Sequence, residues 1–226
     1  MKYNDIIEGV FIERPNRFIA KVAINGEEKI CHVKNTGRCR ELLTAGTRIF
    51  LEHSADKTRK TEYDLVTVEK DGVLFNIDSQ APNKVFGEWI STSGFFGNVT
   101  LVRPERFFGN SRFDFYIETD GRAIFVEVKG VTLERDGVLL FPDAPTERGV
   151  KHLRELVEAK KQGYDAHVFF IIQTDKCKYF TPNTQTDPLF ANELRNAADA
   201  GVGIYALTCN VTPDSLSIND LAKVLL

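Results

Sequence analysis

Between Gly9 and Asp78 the apolar residues fall in short runs, many of them alternating with polar ones. The segments Gly9–Ile12, Phe18–Val22, Lys29–Val33, Thr47–Leu51 and Asp64–Val68 read as β-strands, one face toward a core and the other toward water. Asn25-Gly26 and Asp71-Gly72 suit two-residue hairpin loops, where both central residues take positive φ. Strands in succession without a long helix predict a small barrel. An OB-like fold fits, and an SH3-like barrel would leave the same trace.

The pattern changes after Asp78. Ser79–Asn98 carries Pro82, Gly87, Trp89 and Gly94-Phe95-Phe96-Gly97, and reads as a connector with a short helix over Lys84–Ile90. A boundary there divides the chain into an OB-like all-β barrel over 1–80 and an α/β domain (α+β, with a mixed sheet) over 81–226. Strands are predicted at Val102–Phe107, Phe113–Glu118, Ala123–Val128 and Val138–Phe141, joined at Gly109-Asn110, Asp120-Gly121 and Asp136-Gly137. A helix follows from the N-cap Thr146 to Gln162, with Val150, Leu153 and Val157 as its core face. Val168–Ile172 is wholly apolar, as in a strand covered on both sides. Asp187-Pro188 opens a second helix ending at Gly201, and Ile204–Leu207 is a last strand.

Composition adds little beyond exclusion. Of 226 residues 42% are hydrophobic and 27% charged, which excludes a disordered or coiled-coil main state. No apolar run approaches the ~20 residues that span a bilayer, so no membrane partner is expected. The first residues lack the apolar core of a signal peptide, which predicts a cytoplasmic protein. A net charge of −3 means that a polyanion must be gripped by local patches. Four cysteines without a Cys-x-x-Cys pair read as reduced thiols. Cys31, His32 and Cys39 lack a fourth zinc ligand at a familiar spacing.

The chemistry concentrates between Arg103 and Gly130. If Asp120-Gly121 is a two-residue loop, Thr119 faces Arg122, and counting back sets Asp114 opposite Glu127. The same count about Gly109-Asn110 sets Glu105 opposite Asp114. Directly opposed side chains lie ~5 Å apart at Cβ, where like charges repel. A row of carboxylates on three strands calls for a cation, and a hard divalent ion such as Mg²⁺ (or Mn²⁺) suits oxygen ligands. Lys129 shares the face of Glu127 and could orient a water or steady charge on a phosphate. A three-residue loop would shift the register and scatter the row. Ordinary solvent-facing hairpins also carry such residues.

Asp114, twelve residues, then Glu127-Val128-Lys129 resembles the PD-(D/E)xK motif of restriction-endonuclease-like nucleases, with Phe113 in place of the usual proline. More specifically, the chain resembles the sugar fermentation stimulation protein family. The matching stretches are His32–Arg38, Phe107–Asp114, Val126–Leu133 and Phe141–Leu153, which lie in both halves of the chain. The resemblance implies an OB-like domain joined to a nuclease-like domain, DNA binding with little sequence preference, and a regulatory role in sugar use, maltose especially. It implies metal binding by Asp114, Glu127 and the Val128 carbonyl, with Glu105 a further acidic candidate, and a catalytic role for Glu127 and Lys129. An active Mg²⁺-dependent endonuclease acting on DNA or RNA is the alternative to a binder that keeps the site without cutting.

Candidate DNA contacts follow in both halves. In the helix after Thr146, Arg148, Lys151, His152 and Glu155 form one polar stripe opposite the core face, with Arg148 and Lys151 placed to meet phosphates. In the barrel, Arg14, Arg17, Lys57, Arg59 and Lys60 are the cationic candidates. Asn35, Thr36 and Arg38 offer further phosphate donors.

Overall fold

The structure, a computed structural model, describes residues 1–35 and 37–226. Strands β1 (Ile6–Asn16), β2 (Ile19–Ile24), β3 (Glu27–Val33), β4 (Arg48–His53), β5 (Tyr63–Lys70) and β6 (Val73–Asn76) form one sheet in the order β3-β2-β1-β4-β5-β6. Parallel pairing of Cys31–Val33 with Tyr63–Leu65 joins β3 to β5 and closes the barrel. That closure is the OB arrangement rather than the SH3-like alternative. Inward residues such as Val22, Cys31, Ile49, Leu51, Leu65 and Val68 fill the interior.

Beyond the barrel come α1 (Ala81–Ile90), β7 (Val99–Phe108), β8 (Ser111–Thr119) and β9 (Arg122–Val131). A short hairpin, β10 (Leu133–Arg135) and β11 (Val138–Phe141), precedes α2 (Glu147–Lys161). The chain ends with β12 (Asp165–Ile172), β13 (Tyr179–Pro182), α3 (Pro188–Asp199), β14 (Gly203–Thr212) and β15 (Ser215–Ala222). The main sheet runs β15-β14-β12-β9-β8-β7, with β9, β12 and β14 parallel and the outer strands antiparallel. This is the expected mixed α/β sheet. Helices α2 and α3 cover one face over Phe125, Val168 and Phe170, and α1 covers the other over Val126, Phe169 and Ile171. β12 is apolar throughout because both of its faces are roofed.

Local chemistry fixes the helix starts. Thr146 Oγ1 accepts from Gly149 N at 3.1 Å, and Asp187 Oδ1 accepts from Phe190 N at 2.9 Å. The other oxygen of Asp187 accepts from Thr146 N at 2.9 Å, so one carboxylate ties both helix beginnings together. A Cβ at Gly149 would lie 2.9 Å from Thr146 and 3.1 Å from Phe190, so the bare backbone permits this close approach.

Polar groups join the two halves. Gln173 donates to Asn76 Oδ1 at 2.9 Å and to the Asp78 carbonyl at 3.0 Å, while its own carbonyl accepts from Asn76 N at 2.9 Å. Asn76 in turn donates to the Tyr3 hydroxyl at 2.9 Å. Lys70 pairs with Glu134 at 2.6 Å across the junction. The chain start sits on the second domain, not in the barrel: Lys2 bridges Ser215, and Met1 N donates to the Leu216 carbonyl at 2.7 Å.

Candidate active site

The Asp120-Gly121 loop has positive φ at both residues, and Thr119 pairs with Arg122. The β8–β9 ladder runs back to Phe115–Val126 and stops there, one pair short of Asp114 and Glu127. At that point Asp114 replaces the strand partner: its Oδ2 accepts from Val128 N at 2.8 Å. Its Oδ1 accepts from Asn83 of α1 at 2.8 Å. Strand alternation also breaks here. Phe113 packs in the core under α2, whereas Phe115 packs in the core under α1.

Glu127 stands on the α2 side of β9 and is only 3% exposed. Its Oε1 accepts from Lys129 Nζ at 2.5 Å and meets His152 Nδ1 in a second, shorter contact. Its Oε2 is buried without a hydrogen-bond partner among the described residues. Burial pushes the Glu127 carboxyl upward, but the His152 hydrogen bond and the Lys129 charge outweigh it and hold the group below its ordinary range. Asp114 moves the other way. Burial raises it first, the neighbouring Glu127 charge second, and the Val128 and Asn83 hydrogen bonds only partly oppose them. The two acids therefore lie within electrostatic reach of each other and of Lys129.

Glu105 does not join them. The Pro104–Phe115 and Arg106–Phe113 pairs put it at the position opposite Asp114, as counted from the sequence. Its backbone, however, takes φ 56°, and its 64% exposed side chain turns to Arg112 at 3.4 Å. The positive φ re-aims the carboxylate away from the row.

The polar stripe on α2 also differs from its expected form. His152 is 4% exposed and packs edge-on against Phe113. The buried face of the helix runs through Gly149, Val150, His152, Leu153, Leu156 and Ala159, so it is rotated toward His152 relative to the expected face. His152 sits one position before Leu153, on the flank of the apolar stripe; that flank was the available signal. Arg148 reaches His152 Nε2 from outside at 3.4 Å. Lys151 donates to the Asn110 carbonyl at 2.9 Å and lies 3.8 Å from Glu155. Asn83 had no signal in the sequence.

Several barrel candidates turn inward. Arg14 donates to the carbonyls of Gly37, Arg38, Arg17 and Asn35 at 2.5–2.9 Å, bracing the loop rather than facing solvent. Asn35 donates to the Ile77 carbonyl at 2.9 Å and accepts from Gly37 N at 2.7 Å. Arg59 is bound to the buried Asp64. Arg17 and Arg38 line an interdomain cleft of about 850 Å³, beside Arg40 and Asp143. Lys57 and Lys60 are exposed. Thr36 lies outside the described residues.

The cysteines are free. Burial pushes the thiols of Cys31, Cys39 and Cys209 up to about 12 and that of Cys177 to about 11, so they are protonated and inert at neutral pH. His32 pairs with Asp64 rather than with a cysteine. Among the described residues, no group of three or more His, Cys, Asp or Glu side chains stands ready to hold a metal ion. Among the described residues, no helix is long and apolar enough to cross a membrane.

A closed OB barrel leading into a mixed α/β sheet, with a buried acid–lysine cluster where two strands part, defines a two-domain class of protein. Comparison with known proteins identifies which one. Residues 12–77 match the model of the SfsA N-terminal OB domain, and residues 80–215 match that of the sugar fermentation stimulation protein RE domain. The chain belongs to the sugar fermentation stimulation protein family. It is 58% identical over 224 residues to a family homologue of Desulfitobacterium hafniense (99% of this chain, 98% of that one). The homologue of Clostridium beijerinckii is 52% identical over the full length of both chains. Among solved structures, Pyrococcus furiosus SfsA in complex with Ca²⁺ superposes with a TM-score of 0.90 at 28% identity, covering 100% of this chain and 98% of that one.

Proposed function

We propose that this chain binds nucleic acid and that Asp114 and Glu127 hold a divalent cation for phosphodiester hydrolysis, in the manner of PD-(D/E)xK nucleases. The observation that carries the reading is the Glu127 carboxylate. One of its oxygens is saturated by Lys129 and His152, and the other is buried and unpartnered beside a second acid. An unpaired buried oxygen is costly unless something cationic completes it. Asp114, raised by burial and by the Glu127 charge, would be relieved by the same ion. Two carboxylates and the Val128 carbonyl leave the remaining positions to water and phosphate oxygens, which suits Mg²⁺ or Mn²⁺. The Ca²⁺ in the Pyrococcus furiosus relative is consistent with a divalent site in this fold.

When bound, such an ion polarises the phosphate and lowers the pKa of its water. The residues supply the rest. Lys129 sits on the shared face with its ammonium free to exchange Glu127 for an incoming water or a phosphate oxygen. His152 fixes the Glu127 rotamer from below. Asn83 and Val128 N fix Asp114. DNA is the proposed partner, with Lys57, Lys60, Arg17 and Arg38 of the barrel and Arg148 and Lys151 of α2 along its path.

A second reading, a regulator of sugar (maltose) use that binds DNA without cutting it, is favoured by the existing Lys129 contact to Glu127, which would have to open for chemistry. Plasmid and single-stranded DNA incubated with Mg²⁺ or Mn²⁺ separate the two. Metal-dependent cleavage that disappears in Lys129→Ala supports the nuclease. Gel retardation without cleavage in the wild type supports the regulator and refutes hydrolysis.

A further inference from the structure

The β7–β8 turn and the first half of α2 enclose a cleft of about 580 Å³ lined by Phe107, Asn110, Ser111, Arg112, Arg148 and His152, among others. Phe107 is 69% exposed on an edge strand, an unusual place for a large aromatic ring. Arg112 is its cross-strand partner. Ser111 lines the cleft through its backbone surroundings but is only 3% exposed, and its hydroxyl is buried beneath the wall. Arg148 is exposed and, among the described residues, makes its polar contact with His152 through Nε, leaving its terminal amino groups to the solvent. His152, at the back of the cleft, is the residue that holds Glu127. Glu147 also lines the cleft, and Glu105 shares Arg112, so the cationic excess is local and modest.

We infer that this cleft is a subsite for one unpaired nucleotide, its base stacked on Phe107 and its phosphates on Arg112 and Arg148, making single-stranded nucleic acid the preferred substrate. An aromatic face can take any base, but only one that has left its stack, because a duplex covers its own π-faces. The guanidinium groups supply planar, two-pronged contacts to phosphate. A nucleotide seated there lies one residue, His152, away from the acid pair, so the strand would pass from the aromatic platform to the reacting phosphate. The inference rests on the nucleic-acid reading above and narrows its substrate class.

The test is fluorescence anisotropy of a labelled oligo(dT) and of a blunt duplex, both in EDTA so that neither is cut. Phe107→Ala is expected to weaken oligo(dT) binding by about tenfold while leaving the duplex nearly unchanged. Phe107→Trp is expected to restore oligo(dT) binding, and Phe107→Leu, similar in bulk without a π-face, is not. Because the ring is exposed, all three variants should keep the wild-type circular dichroism. Equal losses on both probes, no loss on oligo(dT), or rescue by leucine would overturn the subsite while leaving nucleic-acid binding intact. A wild type that binds neither probe would overturn both.

Discussion

Glu127 is buried with its charge shared between two partners, and that can be tested through His152. Removing the imidazole leaves a carboxylate at 3% exposure with Lys129 as its remaining partner and a cavity where the ring was. Removing one hydrogen-bond partner of a buried carboxylate costs about 2–3 kcal/mol, mostly because the charge stays in place. The same change in a Glu127→Gln background abandons no charge; it loses packing and one neutral hydrogen bond, about 1–2 kcal/mol. His152→Ala should therefore cost about 1 kcal/mol more in the wild type than in that neutral background. The four proteins of the cycle can be compared by urea unfolding at pH 7.5 in EDTA. With a native stability of about 5–15 kcal/mol, the single variants remain folded enough to measure. A coupling within about 0.5 kcal/mol of zero would mean that the two side chains act independently. The imidazole would then have no part in balancing the buried carboxylate.

Three further outcomes follow from the packing. His167 is held down to about 4 from its ordinary 6.5, chiefly by burial, so the unfolded chain takes up its proton first. Its contribution, about 3 kcal/mol at most, is present above pH 6.5 and lost as the pH falls through 4; thermal melts from pH 7 to pH 4 should show this slope, and His167→Leu should flatten it. A Cβ at Gly130 would lie 2.8 Å from both Gln173 Oε1 and Pro82 Cγ, so Gly130→Ala should destabilise by about 1–3 kcal/mol in urea, and an unchanged midpoint would show that those neighbours give way freely. Arg59→Ala should lower stability, since it strips the buried Asp64 of its guanidinium, whereas Lys57→Ala with Lys60→Ala should leave stability alone and reduce the salt slope of DNA binding by about 1 per lysine. The reverse assignment of effects would remove Lys57 and Lys60 from the proposed interface.

Much of the architecture was legible because hairpin dipeptides set register. Asn25-Gly26, Asp71-Gly72, Asp120-Gly121 and Asp136-Gly137 all take positive φ at both positions, so counting from them places the strands correctly. The start of the helix from Thr146 was equally clear, since its cap and the core positions Val150 and Leu153 agree. What escaped was set by tertiary contact. β15 is an edge strand of mixed, mostly uncovered residues, and no alternation announces it. The parallel β3–β5 contact that closes the barrel is non-local. Register put Glu105 in line, but only the backbone conformation at that residue decides where its carboxylate goes. Charged residues were harder still. Arg14, Arg59 and Asn35 look like solvent-facing donors in the sequence, yet nearby carbonyls and a buried aspartate claim them. His152 looked like part of a wet face because a residue on the flank of a helical stripe goes under or stays out according to the neighbour it meets.

The glutamine at the junction has a mechanical consequence. Gln173 prolongs the β12 ladder through Val131 while gripping Asn76 and the Asp78 carbonyl with its side chain, so little slack separates the barrel from the sheet. The two halves act as a fixed gauge rather than as beads on a string. A polymer lying across both must match that gap or curve to meet it, and a fragment too short to reach from one to the other gains nothing from the second contact.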